Sequence, residues 1–433
     1  MKRRDFLIRA TSAGLAGSCL LLNCYRYKKY REDVSQLYLK KCLEIFRLIQ
    51  NQELPKLSHV AIRAAEIYKG GGKLHSHLTS GEMLQYETRF NRAGNPGYFV
   101  PLAVEEDQAI LDTIQRGDFF LTDKANSKLL LAKQQGIYVV GISVPFLPHK
   151  FTPSDRFVIK PDWYPIEDIA NVVLYSHVPI EDGVVSFPEY PMVPLCPASS
   201  IIQSIYFWML NAEIAYQVQV EKTYPFISRA RDYIEKIIER IYELEKQTDL
   251  MYEAARRMAE NVKVGGTLYV YEQSRSLIAE ACNRASGLML TKPLLIDAVK
   301  PRDNVIFGAE SSNQAADIEL ARQLRNRKCF VVTISPFDTD GQTEGPLLRK
   351  AASLALNNLS GESQGVVKIT KEAPPLCPAG GVLNAIILWA LTAQFVAEMI
   401  NLGMVPYVIM GEHLIGGAEY NAAVRRFFIQ RGF

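Results

Sequence analysis

The feature that most constrains the fold is an internal repeat. The segment "VPLCPASSIIQSIYFWMLNAEIA", which starts at Val193, matches "PPLCPAGGVLNAIILWALTAQFV", which starts at Pro374. Both contain P-L-C-P-A followed by an apolar stretch with a tryptophan in register. A second pair, "LLLAKQQGIYVVGISVPF" and "IELARQLRNRKCFVVTISPF", keeps the same order along the chain. Such self-similarity indicates a tandem duplication. We predict a first repeat at residues 35–227 and a second repeat, with a C-terminal tail, at residues 228–433.

Within each repeat, helical patterns alternate with short apolar strands. In the first repeat we predict strands at residues 119–122, 137–144 and 172–174 and a long apolar helix at residues 199–218. The segment 137–144 is rich in β-branched residues, as expected for a strand buried on both faces. Strands that alternate with helices predict an α/β fold with a parallel sheet in each repeat.

Composition excludes several classes of protein. The chain has 433 residues, of which 48% are apolar and 22% charged, and its formal net charge is +3. No basic tract dominates, so nothing indicates a nucleic-acid partner. Seven cysteines in a chain of this length, without C-x-x-C spacing, do not form a disulfide framework or a zinc motif.

The N-terminus has the pattern of an export signal. A basic start is followed by a short apolar run in "MKRRDFLIRATSAGLAGSCLLLNC", as in signal peptides. Arg3-Arg4-Asp5-Phe6-Leu7 resembles the twin-arginine signal. We therefore expect residues 1–34 to be a signal or anchor with its linker, with the twin-arginine export machinery as a partner. The protein would then be exported, either periplasmic or membrane-anchored. A basic N-terminus with an incidental apolar patch is the alternative, and the protein is cytoplasmic if the signal is not functional.

The segment "GGGKLHSHLTSGE" at residues 70–82 is the first candidate ligand loop. Ligands of α/β units lie beyond the carboxyl ends of the strands, and glycine lets the backbone approach them closely. The predicted binding residues here are Gly71, Gly72, Ser76, Thr79 and Ser80. Two alternatives stay open: an ordinary structural turn, or a metal site from His75 and His77, for which the sequence shows no third ligand.

The order of these motifs resembles the sugar isomerase (SIS) domain, and the resemblance covers both repeats. The glycine-rich segment with its H-S-H and following glutamate is similar to the G-x-G-H-S-H-x-x-x-E-E of phosphosugar-binding SIS proteins. The resemblance implies two tandem Rossmann-like (flavodoxin-like) α-β-α sandwich units. It also implies a small sugar or sugar phosphate as ligand, and a possible homodimer.

A second loop, after the next strand of the sheet, is also implied to bind ligand. The family pattern there is S-x-S-G-x-[TN], which binds phosphate. The second repeat keeps Ser311, Ser312 and Asn313, and Ser274 lies in its first loop. The corresponding residues of the first repeat are Thr122, Asn126 and Ser127. That repeat departs from the pattern at Asp123, which would repel phosphate unless Lys124 neutralises it; a neutral sugar is the alternative ligand.

Catalysis of aldose–ketose isomerisation requires a base and a group that opens the sugar ring. In etherases of the SIS family a catalytic glutamate follows the loop serine, which implies Glu87, with Glu82 one helical turn earlier. His75 or His77 is the candidate ring-opening group, because imidazole titrates near neutral pH. We favour a sugar isomerase. A lyase or etherase acting on a muramic-type amino sugar and a non-catalytic sugar-binding protein are the alternatives. No G-x-G-x-x-G fingerprint is evident, and neither a cofactor nor a metal is predicted.

Overall fold

The computed structural model describes residues 33–79, 81–102, 107–150, 155–158, 164–219, 229–337, 347–361 and 365–433. Residues from Asp33 to Phe433 form one compact unit. The expected export signal lies outside the described residues except for its last two positions, and the candidate binding residue Ser80 also lies outside them. The boundary between the repeats near residue 227 stays a prediction.

The first repeat alternates helices with short strands. Its helices are α1 (Val34–Leu48), α2 (Leu54–Lys69), α3 (Leu84–Glu87), α4 (Asp107–Thr113), α5 (Ser127–Gln134), α6 (Ile166–Ile169) and α7 (Ser199–Gln219), with a π-helical turn at Ile49–Glu53. Its strands are β1 (Leu74–His77), β2 (Phe99–Pro101), β3 (Phe119–Thr122), β4 (Tyr138–Ile142), β5 (Val172–Leu174), β6 (Gly183–Val185) and β7 (Leu195–Pro197).

The second repeat follows a similar order of elements up to its fifth strand, with a 3-10 turn at the position of α4. Its helices are α8 (Arg229–Leu244), α9 (Thr248–Lys263), α10 (Ser276–Ala281), α11 (Ala315–Asn326), α12 (Leu348–Ala351), α13 (Gly380–Asn401) and α14 (Gly417–Arg431), with 3-10 turns at Glu245–Gln247 and Ile296–Ala298. Its strands are β8 (Leu268–Tyr271), β9 (Thr291–Pro293), β10 (Asn304–Gly308), β11 (Phe330–Ser335) and β12 (Leu354–Asn357).

The two main sheets have the same topology. The first has the order β2-β1-β3-β4-β5, and the second, read in the matching direction, has the order β9-β8-β10-β11-β12. All neighbouring strands in both sheets are parallel. This is the flavodoxin-like order, in which the chain reverses direction across the sheet between its first and third strands. The prediction of two parallel-sheet α/β units is therefore confirmed.

The long helices α7 and α13 form the centre of the protein. Both are buried on nearly every side, and their apolar residues extend around the whole helix, as is typical of core helices. By length and composition α13 could cross a membrane, but 94% of its most apolar window is buried inside the protein. It is therefore a core helix in this fold.

The first helix of each repeat packs against the last long helix of the other repeat. Helix α1 contacts α13, and α8 contacts α7. The Val34 N–H donates to Oε1 of Gln394 at 2.8 Å, and the Arg229 N–H donates to Oε2 of Glu213 at 3.0 Å. This reciprocal helix exchange joins the two repeats through their cores.

The glycine-rich turn lies before β1 and not beyond the carboxyl end of a strand, where the sequence analysis expected a ligand loop. Strand β1 begins at Leu74, so the turn instead ends α2. Gly71 takes a positive φ of 88°, a conformation that glycine adopts without strain. A Cβ on Gly72 would lie 2.8 Å from the carbonyl oxygen of Gly117. These glycines therefore serve chain reversal at the amino end of β1, opposite to the end where ligands bind.

Candidate functional site

Two crevices open at the carboxyl ends of the sheets, where the strand order reverses. In the first repeat, β1 and β3 are hydrogen-bonded neighbours, with His77 opposite Thr122 at their carboxyl ends. In the second repeat, β8 and β10 are neighbours, with Tyr271 opposite Phe307. The loops that follow these strands border a cavity in each repeat, at the position where doubly wound sheets bind ligands.

The first crevice is a cavity of about 470 Å³ with a polar lining. Its lining residues are Thr79, Gly81, Glu82, Gln85 and Lys124. Of the predicted site residues that the structure describes, it brings Thr79 and Glu82 together here. The lining combines one carboxylate, one ammonium group, a hydroxyl and an amide. It can therefore make both charged and neutral hydrogen bonds to a small polar ligand.

The carboxylate of Asp123 is held by hydrogen bonds within the protein. It is completely buried. Its Oδ1 accepts from the Thr79 N–H at 3.1 Å, and its Oδ2 accepts from Nε2 of Gln203 at 2.7 Å. The chain's own carboxylate thus occupies a backbone donor at the end of β1 that a bound anion could have used.

The other predicted residues of this second loop serve local structure. Oγ1 of Thr122 accepts from the Lys124 N–H at 3.1 Å. Asn126 caps α5, and its Oδ1 accepts from the Leu129 N–H at 3.0 Å, which satisfies one free donor at the helix start. Ser127 is exposed on the first turn of α5. None of Thr122, Asn126 and Ser127 is among the residues that line the cavity.

The histidines of β1 are buried within the sheet. His75, Ser76 and His77 expose at most 3% of their surface. Nε2 of His75 lies 3.3 Å from Oδ2 of Asp118, which precedes β3 and therefore lies at the amino end of the sheet. Burial lowers the pKa of His75, and the charge of Asp118 opposes this shift. The structure does not bring His75 to the crevice, and its ring-opening role stays a prediction.

The two candidate catalytic glutamates lie in different surroundings. Glu82 lines the crevice and its side chain is 44% exposed. Glu87 is completely buried, and its Oε1 accepts from Nε1 of Trp208 at 3.1 Å. Its Oε2 lies 3.2 Å from Arg92. Burial raises the pKa of Glu87 to about 7, although Arg92 opposes the shift. Of the two carboxylates, Glu82 is the one positioned to reach a ligand.

The second repeat reproduces the buried arrangement of Glu87. Oε1 of Glu280 accepts from Nε1 of Trp389 at 2.9 Å and lies 3.7 Å from Arg284. Burial raises the pKa of Glu280 to about 7 as well. The same buried cluster of a glutamate, a tryptophan and an arginine therefore occurs once in each repeat. This repetition indicates that the cluster stabilises the fold.

Each arginine of these clusters also crosses to the other repeat. Nη1 of Arg92 lies 2.6 Å from Oε1 of Glu310 in the second crevice. Nη1 of Arg284 lies 2.9 Å from Oε2 of Glu82 in the first crevice. Sequence reasoning missed these residues as site components. The signal was present, because N-R-A occurs in both repeats, in "RFNRAGN" and "ACNRASG".

The second crevice is smaller and more acidic. It is a cavity of about 310 Å³, lined by Arg89, Glu272, Gln273, Ser274, Ala309, Glu310, Gln314 and Asp317. Of the predicted residues that the structure describes, only Ser274 lines it, and its Oγ donates to Oε2 of Glu272 at 2.7 Å. Ser311 lies outside the lining and donates to Oδ1 of Asn313 at 2.8 Å, and Ser312 is buried.

A third cavity, of about 460 Å³, lies beyond β4 and β5. It contains His149, Tyr175 and His177. Nε2 of His177 lies 3.3 Å from Oε1 of Glu53, which ends the π-helical turn, and His177 has a positive φ of 56°. The sequence analysis did not single out this cavity. Across the residues that the structure describes, no group of three or more histidine, cysteine, aspartate or glutamate side chains is placed to hold a metal ion.

No protein-family model matches the chain. It is 24% identical over 235 residues to a UPF0309 protein from Listeria monocytogenes, an alignment that covers 48% of this chain and 97% of that relative. It is 22% identical over 223 residues to a UPF0309 protein from Halalkalibacterium halodurans, covering 43% and 88%. These names state no function. Each alignment is about as long as one repeat.

The chain is also similar to solved structures. One, from Clostridium difficile 630, is described as a candidate phosphosugar isomerase; it superposes with a TM-score of 0.50 and 13% identity, covering 83% of this chain and 92% of that one. The C-terminal domain of glucosamine-fructose-6-phosphate aminotransferase from Francisella tularensis superposes with a TM-score of 0.47 and 9% identity, covering 88% and 99%. The likeness to the Clostridium difficile structure supports an SIS fold for this chain and, at 13% identity, concerns the fold alone.

Proposed function

We propose that the protein binds a small sugar or sugar derivative in the crevices at the carboxyl ends of its two sheets. The observation that carries the proposal is the pair of polar cavities, of about 470 and 310 Å³, at the strand-order reversal of each sheet. Carboxylate, amide and hydroxyl groups in one cavity suit a ligand with many hydroxyl groups. The candidate phosphosugar isomerase of similar fold agrees with this ligand class.

A thermal-shift panel on the full chain tests the proposal. Neutral sugars, amino sugars and sugar phosphates are compared at several concentrations. A ligand at a hundred times its dissociation constant adds about 2.7 kcal/mol to the free energy of unfolding, which is a readable shift in Tm. A panel in which no sugar of any class raises Tm contradicts the proposal.

Among the residues that the structure describes, Lys124 is the cationic side chain in the lining of the first crevice. We expect Lys124→Met to reduce the Tm shift caused by sugar phosphates, because Lys124 lines the cavity. Lys128→Met is the matched control, since Lys128 is exposed on α5 and lies outside the lining. Equal losses in both variants would show that the anion binds elsewhere.

Aldose–ketose isomerisation is a second candidate function, favoured by the position of Glu82. Its carboxylate reaches the first crevice and is oriented by Arg284 at 2.9 Å. A positioned general base typically contributes about 10²–10⁴-fold to the rate. We therefore expect Glu82→Gln to lower the exchange of the sugar C2 proton with solvent deuterium by at least about 100-fold.

Glu66→Gln is the control for this exchange experiment, because Glu66 is exposed on α2 and lies outside the lining of the first crevice. Exchange that persists in the Glu82 variant would exclude Glu82 as the base. Binding without exchange in the unmodified protein would favour a non-catalytic sugar-binding protein.

We propose further that the N-terminal segment directs export, on the basis of Arg3, Arg4, Phe6 and Leu7. Fusing residues 1–34 to a reporter that matures only outside the cytoplasm tests this. Replacing Arg3 and Arg4 together by lysine is expected to retain the reporter inside the cell. A reporter that is never exported would contradict the proposal.

A further inference from the structure

The second crevice has an excess of negative charge. Its lining contains the carboxylates of Glu272, Glu310 and Asp317 and the single guanidinium of Arg89. Arg92 neutralises Glu310 at 2.6 Å from outside the lining. The remaining acidic groups favour a ligand that carries a positive charge and oppose an anionic one.

Glu272 occupies the donors that a phosphate group would need. Its Oε2 accepts from the Leu277 N–H and from Oγ of Ser274, both at 2.7 Å. Its Oε1 accepts from Nδ2 of Asn384 at 3.0 Å. Because these donors are already bound to a carboxylate, a second anion placed beside them would meet charge repulsion without gaining hydrogen bonds.

Asp317 supplies the observation that points to a ligand. It is 2% exposed and lines the cavity, and its Oδ1 has no hydrogen-bond partner within the described part of the chain. A buried carboxylate oxygen that accepts no hydrogen bond lowers the stability of the folded protein. A ligand donor that enters the cavity would remove this cost, and a charged donor would do so most effectively.

We propose that the second crevice binds the ammonium group of an unphosphorylated amino sugar, with Asp317 as its carboxylate partner. This inference rests on the proposed function, that the crevices bind a sugar derivative. Gln273 and Gln314 in the same lining supply amides for the sugar hydroxyls. The two crevices then differ in ligand charge, because the first contains Lys124 and the second contains Asp317, whose Oδ1 has no partner among the described residues.

Isothermal titration calorimetry on the full chain, near pH 7, tests the inference with three probes: glucosamine, glucose and glucosamine 6-phosphate. Asp317→Asn is expected to weaken glucosamine binding at least tenfold. The same variant is expected to leave the affinities for glucose and glucosamine 6-phosphate unchanged. Asp297→Asn, an exposed aspartate of the same repeat outside the lining, is the control and is expected to bind glucosamine as the unmodified protein does.

The outcomes separate this inference from the proposed function. Glucosamine binding that is equally strong in the Asp317 variant overturns the inference, as does an equal loss for glucosamine 6-phosphate. If another sugar binds and glucosamine does not, the inference fails while the proposed function stands. If none of the three probes binds and the wider sugar panel is also silent, both fail. Chemical denaturation of the Asp317→Asn variant shows whether a loss of binding reflects a loss of fold.

Discussion

Nη1 of Arg284, in the second repeat, lies 2.9 Å from Oε2 of Glu82, in the first, and the Arg284 side chain is 2% exposed. The same guanidinium lies 2.9 Å from the completely buried Asp182. One buried cation therefore links the first crevice to the interface between the repeats. Removing it leaves a buried carboxylate without its partner charge.

We expect Arg284→Met to lower the free energy of unfolding by about 3–5 kcal/mol, because breaking a buried ion pair exposes the full desolvation cost of the remaining charge. Chemical denaturation measures the change. Arg63→Met is the control, since Arg63 and Glu66 form an exposed pair that contributes at most about 1 kcal/mol. Similar losses in the two variants would contradict the role assigned to Arg284.

Two adjacent glycines at the start of α13 are predicted to respond differently to alanine. A Cβ on Gly381 would lie 1.9 Å from Oε2 of Glu87, whereas a Cβ on Gly380 meets nothing closer than 3.7 Å. Because Trp208 and Arg92 hold Glu87 in place, Gly381→Ala is expected to cost about 1–3 kcal/mol through overpacking.

Gly380→Ala is the matched control for that substitution. It is expected to be neutral or to stabilise by up to about 1 kcal/mol, since alanine is the better helix former. Thermal unfolding followed by circular dichroism compares the two variants. A Gly381→Ala protein as stable as Gly380→Ala would show that Glu87 moves freely.

Stability is predicted to depend on pH through Glu87. Burial raises its pKa from 4.5 to about 7 in the folded protein. Between these values the folded state holds a proton that the unfolded state has released, so this contribution to stability is lost as pH rises from about 4.5 to about 7. Glu87→Gln removes the titration. The Tm of the variant minus the Tm of the unmodified protein should therefore increase from pH 5 to pH 8, because only the unmodified protein loses stability through this group.

Glu66→Gln is the control for the pH series, because Glu66 is half exposed. Its Tm should run parallel to that of the unmodified protein. A Glu87→Gln difference that stays constant with pH would mean that Arg92 keeps the carboxylate ionised throughout the range.

Asp317 is predicted to lower stability in the absence of ligand. Burial, with the nearby charges of Glu272 and Glu310, raises its pKa from 3.8 to about 6. The stability that protonation provides is therefore lost as pH rises from about 3.8 to about 6. At pH 7, Asp317→Asn should raise the free energy of unfolding by at least about 1 kcal/mol. A less stable variant in chemical denaturation would show that the carboxylate has a partner in solution.

The sequence predicted the fold more fully than the site. The internal repeat showed that the same elements occur in both halves. The strands could be recognised because strands that are buried on both faces are continuously apolar. The sequence did not show on which side of β1 the glycines fall, since a glycine turn fits either end of a strand. The resemblance that implied Glu87 gave no indication that its carboxylate is buried.

Contacts between distant segments explain the rest of the difference. Arg92 and Glu310 are 218 positions apart, so their pairing leaves no local pattern. The hydrogen bonds of Asp123 and Glu272 likewise depend on Gln203 and Asn384, each in the long helix of its own repeat. The sequence analysis placed Asp123 in a loop and did not single out Glu272, and only the folded arrangement shows that both accept hydrogen bonds from backbone and amide donors.

The reciprocal exchange of α1 and α8 has a consequence for how the two crevices can change. When two copies of one gene product assemble, every substitution enters both sites at once. In this chain each crevice is encoded by its own codons. The packing of α1 on α13 and of α8 on α7 nevertheless holds the two repeats together. Lys124 could therefore arise in the first crevice and Asp317 in the second without either change being imposed on the other crevice.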